Sequence, residues 1–260
     1  MIHYHGEITS TSDVSYDIWK GRHAFISFAR PNVVNTPAEV CQSFAFDNGA
    51  FSAWKTGDTI DRFGYYQWVE KWHRHPGFDW AVIPDVIDGT EKENDDYVKD
   101  WPLPRDTGVP VWHMHESTMR LMDLSSRWRR IALGSSGEYA VVGNDKWWDR
   151  MAEAMEVVTA PNTGEALVKL HGLRMLNPDV YRYLPLASAD STNVGQNIGI
   201  DGRWKGPYEP PNKKVRGLVL AERAEAFQSA NHWAGRPKQE ELFKYTPPPG
   251  PHQNKVEGSA

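Results

Sequence analysis

A chain of 260 residues that is 40% hydrophobic and 24% charged holds enough apolar material for one large core, which excludes a low-complexity or disordered polymer. Its net charge of −5 excludes a protein that coats nucleic acid through overall basicity, so any polyanion has to be met by a local patch. The single cysteine, Cys41, excludes an internal disulfide and a Cys-rich zinc module, and no apolar run has the length of a signal peptide or membrane span, a combination expected of a cytoplasmic protein.

In chain order, short apolar segments alternate with amphipathic ones. Ile2 to His5 predicts a first strand and Val14 to Lys20 a weak helix. Ala24 to Phe28 and Ser43 to Phe46 read as strands, the second running into Asp47-Asn48-Gly49. Arg62 to His73 has helical spacing (Phe63, Tyr66, Val69, Trp72) and stops before Pro76. Trp80 to Ile83 is a buried strand ending at Pro84-Asp85, and Glu91 to Trp101 a charged surface helix. The second half repeats this rhythm. Strands are expected at Val109 to His115, Ile131 to Leu133, Leu167 to Leu170 and Leu186 to Ala189. Helices are expected from the Ser117 cap to Trp128, over Trp147 to Val158, over Asp179 to Leu184 and over Val215 to His232. About eight strand–helix pairs close a parallel α/β barrel, so the expected fold is a single-domain TIM (β/α)8 barrel over residues 1–236, with a Pro-rich polar tail over 237–260.

Right-handed βα units bring the strand C-termini to one rim. The residues closing the strands there are Asp47, Asp85, His113 or His115, Gly134 to Gly137, His171-Gly172 and Asp190. Asp190 ends an apolar, small-residue run and precedes a polar loop (Ser191, Thr192, Asn193), the setting in which a carboxylate serves as nucleophile or acid/base. Capping or tying a loop is the ordinary alternative for Asp190 and Asp85, and turn formation is the alternative for Asp47. The histidines offer a rival chemistry. If His3 and His5, His113 and His115, His171 and Asp190 all faced inward, they would supply the ligands of a metal-dependent hydrolase. A third reading is a catalytically idle barrel that binds nucleic acid. Basic residues cluster at Lys71, His73, Arg74 and His75, at Arg127, Arg129 and Arg130, and at Lys213, Lys214 and Arg216; the last group is the best candidate for holding a phosphate backbone.

The order Asp47-Asn48-Gly49-Ala50-Phe51, Pro84-Asp85, Leu133-Gly134-Ser135, His171-Gly172-Leu173 and Ala189-Asp190-Ser191 resembles the tRNA-guanine transglycosylase superfamily, in particular its compact, phage-associated branch that exchanges guanine in DNA for a 7-deazaguanine. The resemblance runs from about Ile2 to Trp233. It implies that Asp190 attacks the anomeric carbon and holds a covalent glycosyl intermediate, that Asp47 relays the proton, and that Asp85 reads the purine N–H edge. It further implies substrate contacts from Asn48, Phe51, His113, His115, Gly134, Ser135, His171 and Gly172. Phe51 and Trp112 are rim aromatics of a kind that sandwiches a base, with core packing the alternative for either. The implied partners are DNA, or less favourably tRNA, and a 7-deazaguanine base such as preQ0, with no metal or other cofactor. The chain departs from the tRNA enzymes in lacking the Cys/His zinc subdomain and in carrying Asn48 where serine is usual. It also has His113, His115 and Glu116 where a glutamine commonly follows the fifth strand. Absence of the zinc module removes part of the tRNA-docking surface, which favours DNA or a smaller substrate.

Overall fold

The computed structural model describes residues 1–8, 12–199 and 210–238. Nine parallel strand segments follow one another around a barrel: β1 (Ile2–His5), β2 (His23–Ser27), β3 (Ser43–Asp47), β4 (Phe78–Val82), β5 (Gly108–Val109), β6 (Val111–His113), β7 (Arg130–Gly134), β8 (Lys169–Gly172) and β9 (Ser188–Ser191). The spatial order is β5-β4-β3-β2-β1-β9-β8-β7-β6. Two of these segments are halves of one barrel strand. Pro110 has no N–H to give the ladder and separates β5 from β6, yet the hydrogen bonding continues across it. Val109 accepts from Ile83 N at 2.9 Å on one side, and Pro110 accepts from Ala132 N at 2.9 Å on the other. The covalent joint at Pro110 therefore closes an eight-staved ring, the expected TIM barrel.

Ten α-helices alternate with the strands among the described residues: α1 (Ser12–Trp19), α2 (Asn35–Val40), α3 (Ala50–Thr56), α4 (Arg62–Trp72), α5 (Glu91–Lys99), α6 (Thr118–Arg127), α7 (Asp145–Val158), α8 (Pro178–Tyr181), α9 (Asn193–Asn197) and α10 (Lys213–Ala224). Local signals start several of them. Asp61 accepts from Gly64 N before α4, Thr90 and Glu93 form a reciprocal capping box on α5, and Ser117 and Asn144 cap α6 and α7. α10 is shorter than the sequence predicts, ending at Ala224 instead of His232. Residues beyond it turn back along β1, where the Phe227 carbonyl meets His3 and Gln228 meets the Met1 amine. Farther on, Arg236 pairs with Asp145 and Asp149. Residues 239–260, most of the predicted tail, lie outside the described residues.

Strand alternation sorts the side chains into an interior and two outer layers. Tyr4, Phe25, Ala45, Trp80, Val82, Val109, Val111 and Ala132 fill the barrel. Their strand neighbours face outward: Phe46 stacks on Trp68 of α4 with ring centroids 3.8 Å apart, and Trp112 packs with Trp147, Trp148 and Met151 of α7. The many tryptophans are thus mainly cement between barrel and helices. No helix among the described residues is long and apolar enough to cross a membrane.

Candidate active site

The C-terminal mouth of the barrel gathers carboxylates on the interior face. Inward alternation continues from Ala45 to Asp47 in β3 and from Val111 to His113 in β6. In β8 and β9 it brings His171 and Asp190 to the same face, where His171 lies edge-on to Trp80 with ring centroids 4.6 Å apart.

Asp190 is 4% exposed, at the end of a strand whose small residues, Ser188 and Ala189, keep the wall thin. Its Oδ1 accepts the backbone N–H of Arg174 at 2.8 Å and faces His171 Nε2 at 3.3 Å. Burial lowers the proton affinity of His171, offset only in part by Asp190, so the ring is neutral near pH 7. With Nδ1 beside the Ser188 hydroxyl at 2.9 Å, the consistent assignment has Ser188 donating to Nδ1 and Nε2–H donating to Asp190. Both donors converge on one oxygen, leaving Oδ2 without a protein donor among the described residues. Arg174 reaches this position in a left-handed backbone conformation, φ 60°, the one non-glycine residue with positive φ among those described. Such conformations cost on the order of 1 kcal/mol and persist where their surroundings hold them.

Asp47 is a different kind of acid. Protein surrounds it, although part of its surface stays open at the mouth, and its proton affinity is raised to about 6. Burial is the main cause, with the nearby negative charges of Asp190 and Asp85 adding to it; the Ser27 hydroxyl and the Gly49 N–H pull the other way. The Gly49 amide lies 3.2 Å from Asp47 Oδ2. Gly49 itself sits at φ 83°, with the position of a missing Cβ 3.3 Å from the backbone nitrogen of Ala29, so a side chain there is both strained and crowded.

Asp85 is locked from both sides. Asn48 Nδ2 donates to its Oδ1 at 2.6 Å and His113 Nε2 lies 2.7 Å from its Oδ2. Asn48 also donates to the Ile83 carbonyl at 3.0 Å and accepts from Ala50 N at 2.7 Å. Its amide is therefore spent on holding Asp85 and starting α3, and the expected direct contact with substrate is corrected to positioning. His113 Nδ1 has no hydrogen-bond partner among the described residues; a Cβ on Gly134 would lie 3.0 Å from it, so that glycine supplies room beside the ring.

Several sequence expectations are corrected here. His3 and His5 face outward from β1: His3 Nε2 meets the Phe227 carbonyl at 2.9 Å and His5 Nε2 meets Glu225 at 2.7 Å. The six-residue metal centre therefore cannot assemble, because Tyr4 holds the inward position between the two histidines. No group of three or more His, Cys, Asp or Glu among the described residues is placed to hold a metal ion. Gly172 also faces outward, where a Cβ would lie 2.9 Å from Met175, so its role is packing. The Ser135 hydroxyl accepts from Trp147 Nε1 at 2.9 Å on the helical side. Trp112 is fully buried outside the barrel wall and flanks no base. Glu116 turns into a buried pair with Arg120 at 2.6 Å. Both ring nitrogens of His115 are engaged, Nδ1 with Ser136 and Nε2 with the Gly89 carbonyl, so it fastens rim loops together. Lys213 and Lys214 lie exposed at the start of α10, where Lys214 pairs with Asp17 of α1 at 2.5 Å.

Phe51 does stand at the mouth, with the Arg174 guanidinium 4.2 Å from its ring centre. Arg174 was invisible to pattern reading: its one sequence cue is its place in the loop that follows His171-Gly172.

No family model matches the chain, and no curated protein matches it. Among solved structures, two mutant tryptophan synthase α-subunits from the hyperthermophile Pyrococcus furiosus are similar in fold. One has a TM-score of 0.51 at 10% identity, the other 0.50 at 9%; each match covers 87% of this chain and 98% of the other. At that identity the likeness shows the barrel fold alone.

Proposed function

We propose that this barrel is a base-exchange glycosyltransferase that replaces guanine in DNA with a 7-deazaguanine through a covalent intermediate on Asp190. The observation that carries the reading is the unequal pair at the mouth: Asp190, with one oxygen anchored by two donors and the other unengaged, beside Asp47, whose proton affinity is raised to about 6. An acid with an unengaged oxygen beside a second acid that holds its proton to higher pH is what nucleophilic substitution at a sugar carbon with proton transfer to the leaving group requires.

In the proposed cycle, Asp190 Oδ2 attacks C1′ as the C1′–N9 bond breaks, and the electron pair leaves with the purine. Asp47, protonated at the start, gives its proton to the departing base. The incoming 7-deazaguanine then returns a proton to Asp47 as its N9 attacks C1′ from the opposite side. The C1′–O bond to Asp190 breaks, restoring the carboxylate. Asp85, fixed by Asn48 and His113, retains lone pairs that accept the N–H edge of a purine. The target nucleotide has to leave the stack to reach a barrel mouth, which implies single-stranded or flipped DNA.

Incubation with oligonucleotide DNA and a labelled 7-deazaguanine, followed by nucleoside analysis, tests this directly. Label is expected in the DNA with the wild-type protein and not with Asp190→Ala. Absence of label in DNA with the folded wild type, or equal labelling by the variant, would remove the proposal.

A further inference from the structure

Beyond the reacting centre, the mouth carries an aromatic and cationic ledge that the proposed chemistry does not use. Phe51, Trp54 and Lys55 fall at i, i+3 and i+4 of α3 and share one face. Phe51 is 39% and Trp54 52% exposed, with ring centroids 5.8 Å apart and planes 30° from parallel. The Trp54 ring is held in place: its Nε1–H donates to Asp88 Oδ2 at 2.6 Å, in the loop after β4. Arg174 lies over Phe51, and its guanidinium has no carboxylate or hydrogen-bond partner among the described residues. Asp88 is engaged with Trp54, and Asp58 with the Thr56 hydroxyl.

We propose that this ledge is the binding surface for the single-stranded DNA flanking the exchanged nucleotide. In it, Trp54 stacks a neighbouring base and Arg174 takes the phosphate next to the reacting sugar. The inference rests on the base-exchange reading for the identity of the reacting nucleotide. Three features argue for it. A fixed, half-exposed indole is a stacking platform that accepts any base, since every base has a π-face. A guanidinium left without an acid in a chain of net charge −5 is complementary to an anion, and its planar fork suits phosphate. The main-chain N–H of the same Arg174 anchors Asp190 Oδ1 at 2.8 Å, so its side chain leaves the backbone next to the nucleophile, where the sugar–phosphate of the reacting nucleotide has to pass.

The test uses the full chain and a fluorescently labelled thymidine oligonucleotide containing one guanine, with anisotropy read at several salt concentrations. The same strand in duplex form serves as comparison. Wild type is expected to prefer the single strand. Trp54→Ala should weaken binding about tenfold while Trp54→Phe keeps most of it, because stacking needs a ring and not the indole N–H. Arg174→Gln should lower the slope of log affinity against log salt by about 0.7, one phosphate contact on a single strand. Asp190→Asn should bind as wild type does, separating binding from chemistry. Unchanged affinity and salt slope in Trp54→Ala and Arg174→Gln overturn the ledge even if base exchange proceeds. Binding that depends on both residues, without any exchange, keeps the ledge and removes the base-exchange reading. No binding of either strand by the folded wild type removes the ledge.

Discussion

Two acids of the molecule, Glu225 outside the barrel wall and Asp47 inside its mouth, are shifted in proton affinity in opposite directions. Outside, Glu225 accepts from both His5 at 2.7 Å and Arg22 at 2.9 Å. Burial alone would raise its proton affinity; the His5 hydrogen bond and the Arg22 charge outweigh that and hold it below its ordinary range. That contact ties the segment after α10 to β1. Inside, burial pushes Asp47 the other way, to about 6, and the nearby charges of Asp190 and Asp85 add to it. An acid that accepts from a histidine and a guanidinium is a fastener, whereas an acid buried beside other carboxylates holds its proton to higher pH and is fit to donate it.

The sharpest way to break this contrast is Asp47→Asn. Proton relay by a positioned acid contributes about 10²- to 10⁴-fold, so exchange should fall by at least 100-fold. Stability should move the other way. An acid whose folded proton affinity exceeds its unfolded value of 3.8 loses stability as pH rises from about 4 to 6. Removing it should therefore stabilise the protein at pH 8, by on the order of 2 kcal/mol, and leave it unchanged at pH 4. Thermal melts at the two pH values, read beside the exchange assay, check both signs. A variant that is less stable at pH 8 would mean Asp47 is a structural acid.

Gly172→Ala probes the outward-facing side of the same rim. The added Cβ would lie 2.9 Å from Met175 and 3.0 Å from Leu186, an overpacking expected to cost about 1–3 kcal/mol. The KM for the base should stay as it is, whereas a rise in KM with unchanged stability would return Gly172 to substrate contact.

Glu225→Gln sharpens the outer half. The variant keeps a neutral acceptor for His5 and Arg22 and should lose about 1 kcal/mol near pH 7, with exchange unaffected. Because the folded proton affinity of Glu225 lies below 4.5, that loss should fade as pH falls below about 4. A pH-independent difference in denaturant midpoint would contradict the charge-based account.

The sequence made the barrel legible because its strands are short apolar runs ended by polar residues, each followed by a helix with its own cap, as at Thr90, Ser117 and Asn144. Asp47, Asp85 and Asp190 were legible for the same reason: they end strands. What pattern reading missed were facing and short local structure. Period-two alternation says that His3 and His5 share a side but not which side; Tyr4, packed against Phe25 and Trp80, settles it. The short helix α3 was hidden because Ala50 to Thr56 has no cap side chain and starts from a left-handed glycine. With it went the pairing of Phe51 and Trp54. Arg174 was hidden because a long-range backbone bond to Asp190 leaves no trace in local sequence.

Trapping shows whether Asp190 is the nucleophile. Wild-type protein mixed with a single-stranded oligonucleotide, with no incoming base, should be denatured during the reaction and examined by mass spectrometry. An adduct equal to the oligonucleotide less guanine is expected, mapping to the peptide that contains Asp190 and absent from Asp190→Asn. An adduct on another residue, or exchange that proceeds with Asp190 replaced by asparagine, would contradict that role.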